Sequence, residues 1–386
     1  MVDYTGTKLE TADTAKEHLT LTGAPLLGGA WWSYTLSMPT AVAGDFPDFP
    51  TMGVDDDIIY LGATLFHSNN TFTSVVSFLP RSKMYAGQAI GSFSYGFNFR
   101  VGAVQVDTLQ PARTDTDYPR AGFMVNSFNI NFGGGQCVSG CNGLVVWPVS
   151  NALVVPGTPG VEISGVKIST AHNYFLPPNA LQSGCASPTA LCALDTGDTR
   201  ISGAVTYDSG TLWGSLNTKR SGNNTATVLW FQLRPYLNDN DSRCTGTFLN
   251  KCPKITGADI LNEDCYFCGG RGNSGSDWFG TVVPDAEGNA TMVANYSDLS
   301  SFPGVYYASR RATQAKNSMH DNGIYLAAGQ GFYDQLDQFN RNRWGDYTAA
   351  EADTSNAFWF AGQYSSSGKI WLTRIGKVQF TAVNQP

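Results

Sequence analysis

Apolar and polar positions alternate over short runs along most of the chain, the period-two pattern of half-buried strands, and Gly, Asn, Asp and Pro turns separate the runs. One unit recurs five times: an Asp, usually an aromatic within two positions, a short apolar strand, a tight polar turn, and a second strand rich in aromatic and β-branched residues. The copies begin at Asp48-Phe49-Pro50, Asp117-Tyr118-Pro119, Asp198-Thr199-Arg200, Asp277-Trp278-Phe279 and Asp346-Tyr347-Thr348, spaced 69 to 81 residues apart. Hairpin turns are expected at Asp55-Asp56-Asp57, Asn126-Ser127, Asp208-Ser209-Gly210, Glu287-Gly288-Asn289 and Ser355-Asn356. A third apolar segment follows each copy, and stretches such as 92–100 and 161–168 supply a fourth strand. Four-stranded antiparallel sheets repeated radially are β-propeller blades, which bury both faces against neighbours and leave only short edges. The reading is all-β, a propeller with six blades favoured and five or seven as alternatives. Residues 48–386 carry the five visible units; residues 1–47 join the tail at 377–383 in a blade closed by both termini, so that the whole is a single domain.

Composition agrees with strands and turns. The 386 residues are 42% hydrophobic and 14% charged, with 42 Gly, and Asp far outnumbers Glu, which favours turns over helices. A net charge of −7 and a pI near 5.1 leave no basic footprint for nucleic acid. No stretch approaches the roughly 18 continuous apolar residues of a membrane helix, and the mean hydropathy is −0.17. No charged and then apolar leader follows Met1, so the chain reads as one whose leader has been removed or that begins at the mature domain.

Eight Cys fall as four local pairs: Cys137 with Cys141, Cys185 with Cys192, Cys244 with Cys252, and Cys265 with Cys268. An even count in Gly/Asn/Pro-rich surroundings reads as disulfides stapling long loops. The rival reading is a zinc site from Cys244, Cys252, Cys265 and Cys268, weakened by the eight-position spacing of the first two and by the lack of a nearby His. Five sequons, at Asn69, Asn223, Asn240, Asn289 and Asn295, read as polar turns that tolerate a glycan. Together with the cysteines they point to an extracellular or cell-surface location.

At Asp48-Phe-Pro-Thr-Met-Gly-Val-Asp55 with Ile59-Tyr-Leu61, at Asp285-Ala-Glu-Gly-Asn289 followed by Phe302-Pro-Gly-Val-Tyr-Tyr-Ala-Ser-Arg310, and at Arg343-Trp-Gly-Asp-Tyr347 with Phe358-Trp-Phe-Ala-Gly-Gln-Tyr364, the chain resembles a loose family of secreted prokaryotic β-propeller domains. Many of these belong to cell-surface or exported proteins of unassigned activity. The resemblance spans most of residues 28–376; it implies export and a propeller and brings no catalytic residue with it.

Five repeated aspartates lining one mouth of a channel would form an acidic ring, able to hold a cation or to supply the acid and base of a glycosidase, for which Asp48, Asp117 and Asp346 are the candidates. The favoured reading is structural: each Asp accepts backbone N–H bonds and fixes the leading turn of its blade, a need every blade shares. The four His, at 18, 67, 172 and 320, form no metalloprotease motif, and no Gly-x-Ser-x-Gly elbow is present. Asp239 and Asp241, and separately Asp55-Asp56-Asp57, are weak calcium candidates and read first as solvated turns; no cofactor other than calcium is expected. Trp31, Trp32 and Trp344 are the aromatics best placed to stack on a sugar, Trp344 because its neighbourhood is rich in Asn and Arg. The leading expectation is a non-catalytic extracellular propeller serving binding, adhesion or assembly, with a protein or glycan ligand, a homo-oligomer or array as a further option, and partner contacts in the inserts 171–197 and 235–275. The alternative is a carbohydrate-active enzyme, a glycoside hydrolase or lyase, with carboxylates in a central funnel.

Overall fold

The computed structural model describes residues 2–3, 16–22, 31–114, 121–132, 136–149, 163–238, 240, 254–265, 275–319, 323–353 and 355–380. These residues are all-β apart from one short helix, Arg81–Tyr85. They fall in two compact units, residues 1–128, 144–168 and 235–258 in the first and residues 129–143, 169–234 and 259–386 in the second.

The first unit holds two antiparallel four-stranded meanders, the sheet unit of a propeller blade. One runs Phe46–Val54, Ile58–Phe66, Phe72–Pro80, Ser94–Phe97. The other runs Gln110–Thr114, Gly122–Ser127, Leu144–Val149, Val166–Ile168. Their first strands lie side by side and parallel, with Arg113 opposite Val54. Gly53 is needed there, because a Cβ would run into the backbone of Pro111 and Ala112. Tyr60, Val76 and Phe78 pack against Met124, Val145 and Trp147 between the sheets. The Trp147 indole finds its acceptor in Asn126 Oδ1 at 2.7 Å. Val2–Asp3, Lys16–Thr22 and Trp31–Ser37 form a separate sheet, whose Leu36 packs on Ile59, Leu61, Leu79 and Met84.

The second unit continues the repeat. Val205–Asp208, Thr211–Lys219 and Ala226–Leu237, whose last three residues group with the first unit, form a meander; Ile255–Cys265, of which 259–265 belong to the second unit, carries Asn262, whose Nδ2 donates to Gln232 Oε1 at 2.6 Å. Ser276–Pro284, Ala290–Asp298, Ser301–Arg310 and Ile324–Ala327 form the next. Ala349–Ala352, Ala357–Ser365 and Trp371–Gln379 form the last, which is three-stranded among the described residues. Phe358 and Phe360 bury one face of this last sheet on Val293 and Val305, while Trp359 and Ile375 stand exposed on the other.

Three expectations change. The turn expected at Asn126-Ser127 is strand, both residues pairing with Leu144–Val149; the first strand of that meander is Gln110–Thr114, whose Gln-Pro-Ala-Arg-Thr sequence carries no apolar alternation. Residues 377–379 are not a separate closing strand but the end of Trp371–Gln379, paired with 357–359. The insert at 235–275 contains the strand Ile255–Cys265.

Hydroxyls from the first and second strands join neighbouring meanders and explain the Thr/Ser content of these positions. In the first unit Thr51 Oγ1 donates to the Leu109 carbonyl and Thr64 Oγ1 to that of Asp107, both at 2.7 Å. In the second, Thr348 Oγ1 donates to the Phe279 carbonyl at 2.6 Å, Thr281 Oγ1 to that of Thr348 at 2.9 Å, and Ser215 Oγ to that of Gly280 at 2.7 Å. A bulge lies between Asp48 and Thr51 and another between Trp278 and Thr281, with Phe49 and Phe279 at φ of 56° and 50°. Asp48 is therefore the structural counterpart of Trp278, not of Asp277.

Candidate functional site

In an up-and-down meander, the segment leading into the first strand and the turn joining the second strand to the third emerge at the same end of the sheet. In the second unit the turn at 218–222 is the one between second and third strands, and residues 171–175 lie against it. Cys141 and Tyr174 exchange backbone hydrogen bonds at 2.8 and 2.9 Å beside the Cys137–Cys141 disulfide, and the Tyr174 hydroxyl donates to the Gly143 carbonyl at 2.9 Å. On its other side Phe175 N donates to Thr218 Oγ1 at 2.9 Å and Lys219 N to the Phe175 carbonyl at 3.1 Å. The segment is thus clamped from both sides, and a cavity of about 570 Å³ opens along it. Its lining includes His172, Asn173, Phe175, Thr218, Lys219 and Ser221.

Beneath this cavity the Glu263 carboxylate is buried. It accepts from Ala171 N at 3.0 Å and His172 N at 2.9 Å, and His172 Nδ1 lies 3.3 Å from Oε1. An ionised carboxylate only accepts, so the neutral imidazole carries its proton on Nδ1 and leaves Nε2 as a base. The His172 side chain is 55% exposed. Lys219 is exposed and has no acidic partner among the described residues. Asn142 Nδ2 holds the Asn173 carbonyl oxygen at 3.1 Å. Behind the wall, Arg220 Nη2 meets Asp277 Oδ2 at 3.3 Å, and the Tyr306 hydroxyl donates to Asp277 Oδ1 at 2.5 Å. All three are buried, so this charge pair is compensated internally. The site therefore combines a free ammonium, an oriented imidazole, an amide and an aromatic ring.

The repeated aspartates do not converge as one kind of group. Asp198 is held by Arg200 Nε at 3.0 and 2.9 Å, and Asp346 receives Arg343 Nη2 on both oxygens at 2.9 Å. Asp277 is the buried group just described, and Asp117 lies outside the described residues. Asp48 is half-buried and lacks a hydrogen-bond or charge partner among the described residues. A repeated aspartate does exist, at the far end of the first strand. Asp55 accepts from Asp57 N and Ile58 N and from the Tyr60 hydroxyl at 2.6 Å; Asp285 accepts from Glu287 N and Asn289 N; Asp353 accepts from Ser355 N, Ala357 N and Trp359 Nε1. Each fixes the turn into the second strand. The hydrogen bonds of Ser355 and Trp359 hold the Asp353 carboxyl well below its ordinary range, while burial pushes the Tyr60 hydroxyl up. In Asp55-Asp56-Asp57 the carboxylate of Asp55 is thus engaged in the turn, and Asp239 and Asp241 lie outside the described residues.

Trp344 is 2% exposed, which corrects the expectation of a free stacking platform. Asn342 and Arg343 pair with Leu194–Asp195, and Trp344 is sealed against Tyr333 and Trp278 in one core cluster. Trp32 is 38% exposed, and its ring covers Gly87; the Trp31 side chain lies outside the described residues. Cys185 pairs with Cys192 as well as Cys137 with Cys141; Cys244, Cys252, Cys268 and the side chain of Cys265 lie outside the described residues. Asn69 and Asn240 are exposed and Asn223 is partly exposed. Asn289 and Asn295 are buried, not in open turns, with Nδ2 of Asn289 donating to Asp285 and that of Asn295 to the Trp278 carbonyl. Sequence spacing does not reveal the His172–Glu263 pair, because the two lie 91 residues apart with no local motif; what the sequence offers is that His172 falls in the insert 171–197, where partner contacts are expected.

No protein-family model and no curated protein sequence matches the chain. Among solved structures, a protein of unknown function from Dyadobacter fermentans is similar at 9% identity, with a TM-score of 0.42 over 86% of this chain and 83% of its own. A thermostable family-43 glycoside hydrolase is similar at 10% identity, with a TM-score of 0.34 over 90% of this chain and 96% of its own. An exo-1,5-alpha-L-arabinanase from a bovine ruminal metagenomic library is similar at 12% identity, with a TM-score of 0.33 over 87% of this chain and 94% of its own.

Proposed function

We propose that this protein is an extracellular carbohydrate-recognising propeller and that the cavity beside His172 takes an acidic saccharide. The observation that carries the reading is the exposed Lys219, without an acidic partner among the described residues, in the same cavity as the Phe175 ring and the Asn173 amide. A carboxylate-bearing sugar uses all three: the acid meets the ammonium, the hydroxyls meet the amide, and an apolar sugar face rests on the ring. Two disulfides among the described residues accord with an oxidising compartment, and no described helix is long and apolar enough to cross a membrane.

The test is an array of acidic and neutral glycans followed by calorimetry on the hits. Acidic oligosaccharides are expected to bind, and Lys219→Ala to weaken them about tenfold, the value of one charge-assisted contact. Neutral glycans bound equally well, or binding indifferent to Lys219, would count against the cavity. A second reading, glycoside hydrolysis at the mouth of the propeller, is favoured by Asp48, a half-buried carboxylate without a partner among the described residues, next to the strained Phe49. Saturated products released by the protein and lost in Asp48→Asn would establish that reading instead.

A further inference from the structure

We infer that the His172 cavity does more than bind: the geometry points to cleavage of polyuronate chains by β-elimination, with His172 as the base. The inference rests on the acidic-saccharide reading of the same cavity. Elimination from a uronate needs a base at C5 and a cation or amide on the carboxylate, because removing the proton next to a carboxylate builds negative charge on that group. It needs no pair of free carboxylates and no metal-ligand cluster.

The cavity supplies these parts from separate elements. Glu263, buried on its own strand, accepts from the backbone N–H of Ala171 and His172 as well as from His172 Nδ1. It therefore fixes the position of the segment and the tautomer of the ring together, leaving Nε2 directed away from the carboxylate. Asn317 Oδ1 accepts from Glu263 N at 3.0 Å, and Asn262 Oδ1 accepts from Asn317 N at 2.8 Å, which anchors the Glu263 backbone in turn. A surface histidine with no task has no need of a buried carboxylate held on three donors. Lys219 and Asn173 share the cavity with His172; the ammonium takes the substrate carboxylate and the amide the sugar hydroxyls.

In the step itself, Nε2 of His172 removes the C5 proton. The electron pair of that C–H bond forms the C4–C5 double bond as the C4–O4 bond breaks. The leaving O4 takes a proton from the imidazolium, which returns His172 to its neutral form. Each event yields one unsaturated uronate end and one free hydroxyl end, with no water consumed and no oxidation. Glu263 is a positioning residue here: it acts through His172.

The experiment incubates the 386-residue protein with polygalacturonate, alginate and hyaluronan, follows the ultraviolet absorbance of the unsaturated uronate, and weighs the products by mass spectrometry. The expected result is an unsaturated product from at least one polyuronate. His172→Ala should then lower kcat at least about a hundredfold, as for loss of a general base, with the Kd for that polyuronate unchanged. Lys219→Ala should raise KM and also lower kcat, because the ammonium meets the carboxylate on which charge builds, and Glu263→Gln should lower kcat while leaving Kd in place, a split that general loosening of the fold would not give. His172→Gln serves as a second variant if the alanine form is unstable. Binding of polyuronates without any unsaturated product overturns the elimination and leaves the binding reading standing. Saturated products heavier by one water overturn it in favour of hydrolysis, and no binding at all overturns both.

Discussion

Asp298 shows how a single carboxylate sets a turn. It accepts from Ser300 N at 2.8 Å, from Ser301 Oγ at 2.5 Å and from the Tyr296 hydroxyl at 2.6 Å. Burial pushes its carboxyl up, but the hydrogen bonds from Ser301, Tyr296 and Ser300 outweigh burial and hold it at about 2, below its ordinary 3.8. A carboxyl lowered by folding stabilises above its unfolded value and loses that contribution as pH falls through its folded value. Asp298→Asn is therefore expected to cost about 1 kcal/mol at neutral pH, discounted for partial exposure, and the gap to the native protein should close between about pH 4 and pH 2. Urea unfolding at pH 7 and near pH 2.5 measures both. The same scale explains what sequence reading of single residues could not reach. Asn295-Tyr-Ser297 has the form of an acceptor site, yet Asn295 faces inward on a strand and Asn69 stands in an open turn. Tripeptide chemistry is local, whereas the direction a side chain takes depends on register. Expressed in a glycosylating host, the protein should carry glycan at Asn69 and none at Asn289 or Asn295; peptide mass spectrometry decides, and occupancy at Asn295 in folded protein would contradict its burial.

At the scale of elements, the antiparallel meanders are legible in the sequence because period-two alternation and Gly/Asn/Asp turns are local signals. Offsets were less legible. Gln110–Thr114 does not alternate, yet it is a strand because Arg113 finds Val54 beside it and Gln110 finds Val125, pairings that sequence spacing does not reveal. The aspartates that match from sheet to sheet lie at the far end of the first strand: Asp277 and Asp48 sit one position apart across the repeated bulge, while Asp55, Asp285 and Asp353 match in their turns. What ties neighbouring first strands is also nonlocal, namely Thr281 and Thr348, 67 residues apart, with hydroxyls 3.0 Å from each other. Thr281→Val and Thr348→Val are each expected to cost about 1 to 2 kcal/mol, since each leaves a buried carbonyl without its hydroxyl donor. Because the two share partners, the double variant should cost less than the sum. A denaturant double-mutant cycle reads the coupling, and strict additivity would mean that the two hydroxyls act independently.

For the whole molecule, charge acts against the ligand that the cavity is proposed to take. A chain of net charge −7 repels a polyuronate at long range, whereas Lys219 attracts it only at short range. The two effects answer differently to salt, because exposed charges are screened beyond a Debye length of about 10 Å at 0.1 M. Raising ionic strength from about 0.01 to about 0.15 M, where that length shrinks from roughly 30 to 8 Å, should lift the long-range repulsion and increase kon. The same change weakens the exposed contact at Lys219 and should increase koff. Lys219→Ala should keep the salt response of kon, which belongs to the whole chain, and lose that of koff, which belongs to one side chain. Stopped-flow association of a fluorescent oligouronate, with dissociation by dilution, separates the two rates. If kon instead falls with salt in the native protein, the field at the cavity is locally positive despite the net charge, and cationic residues beyond Lys219 take part in capture.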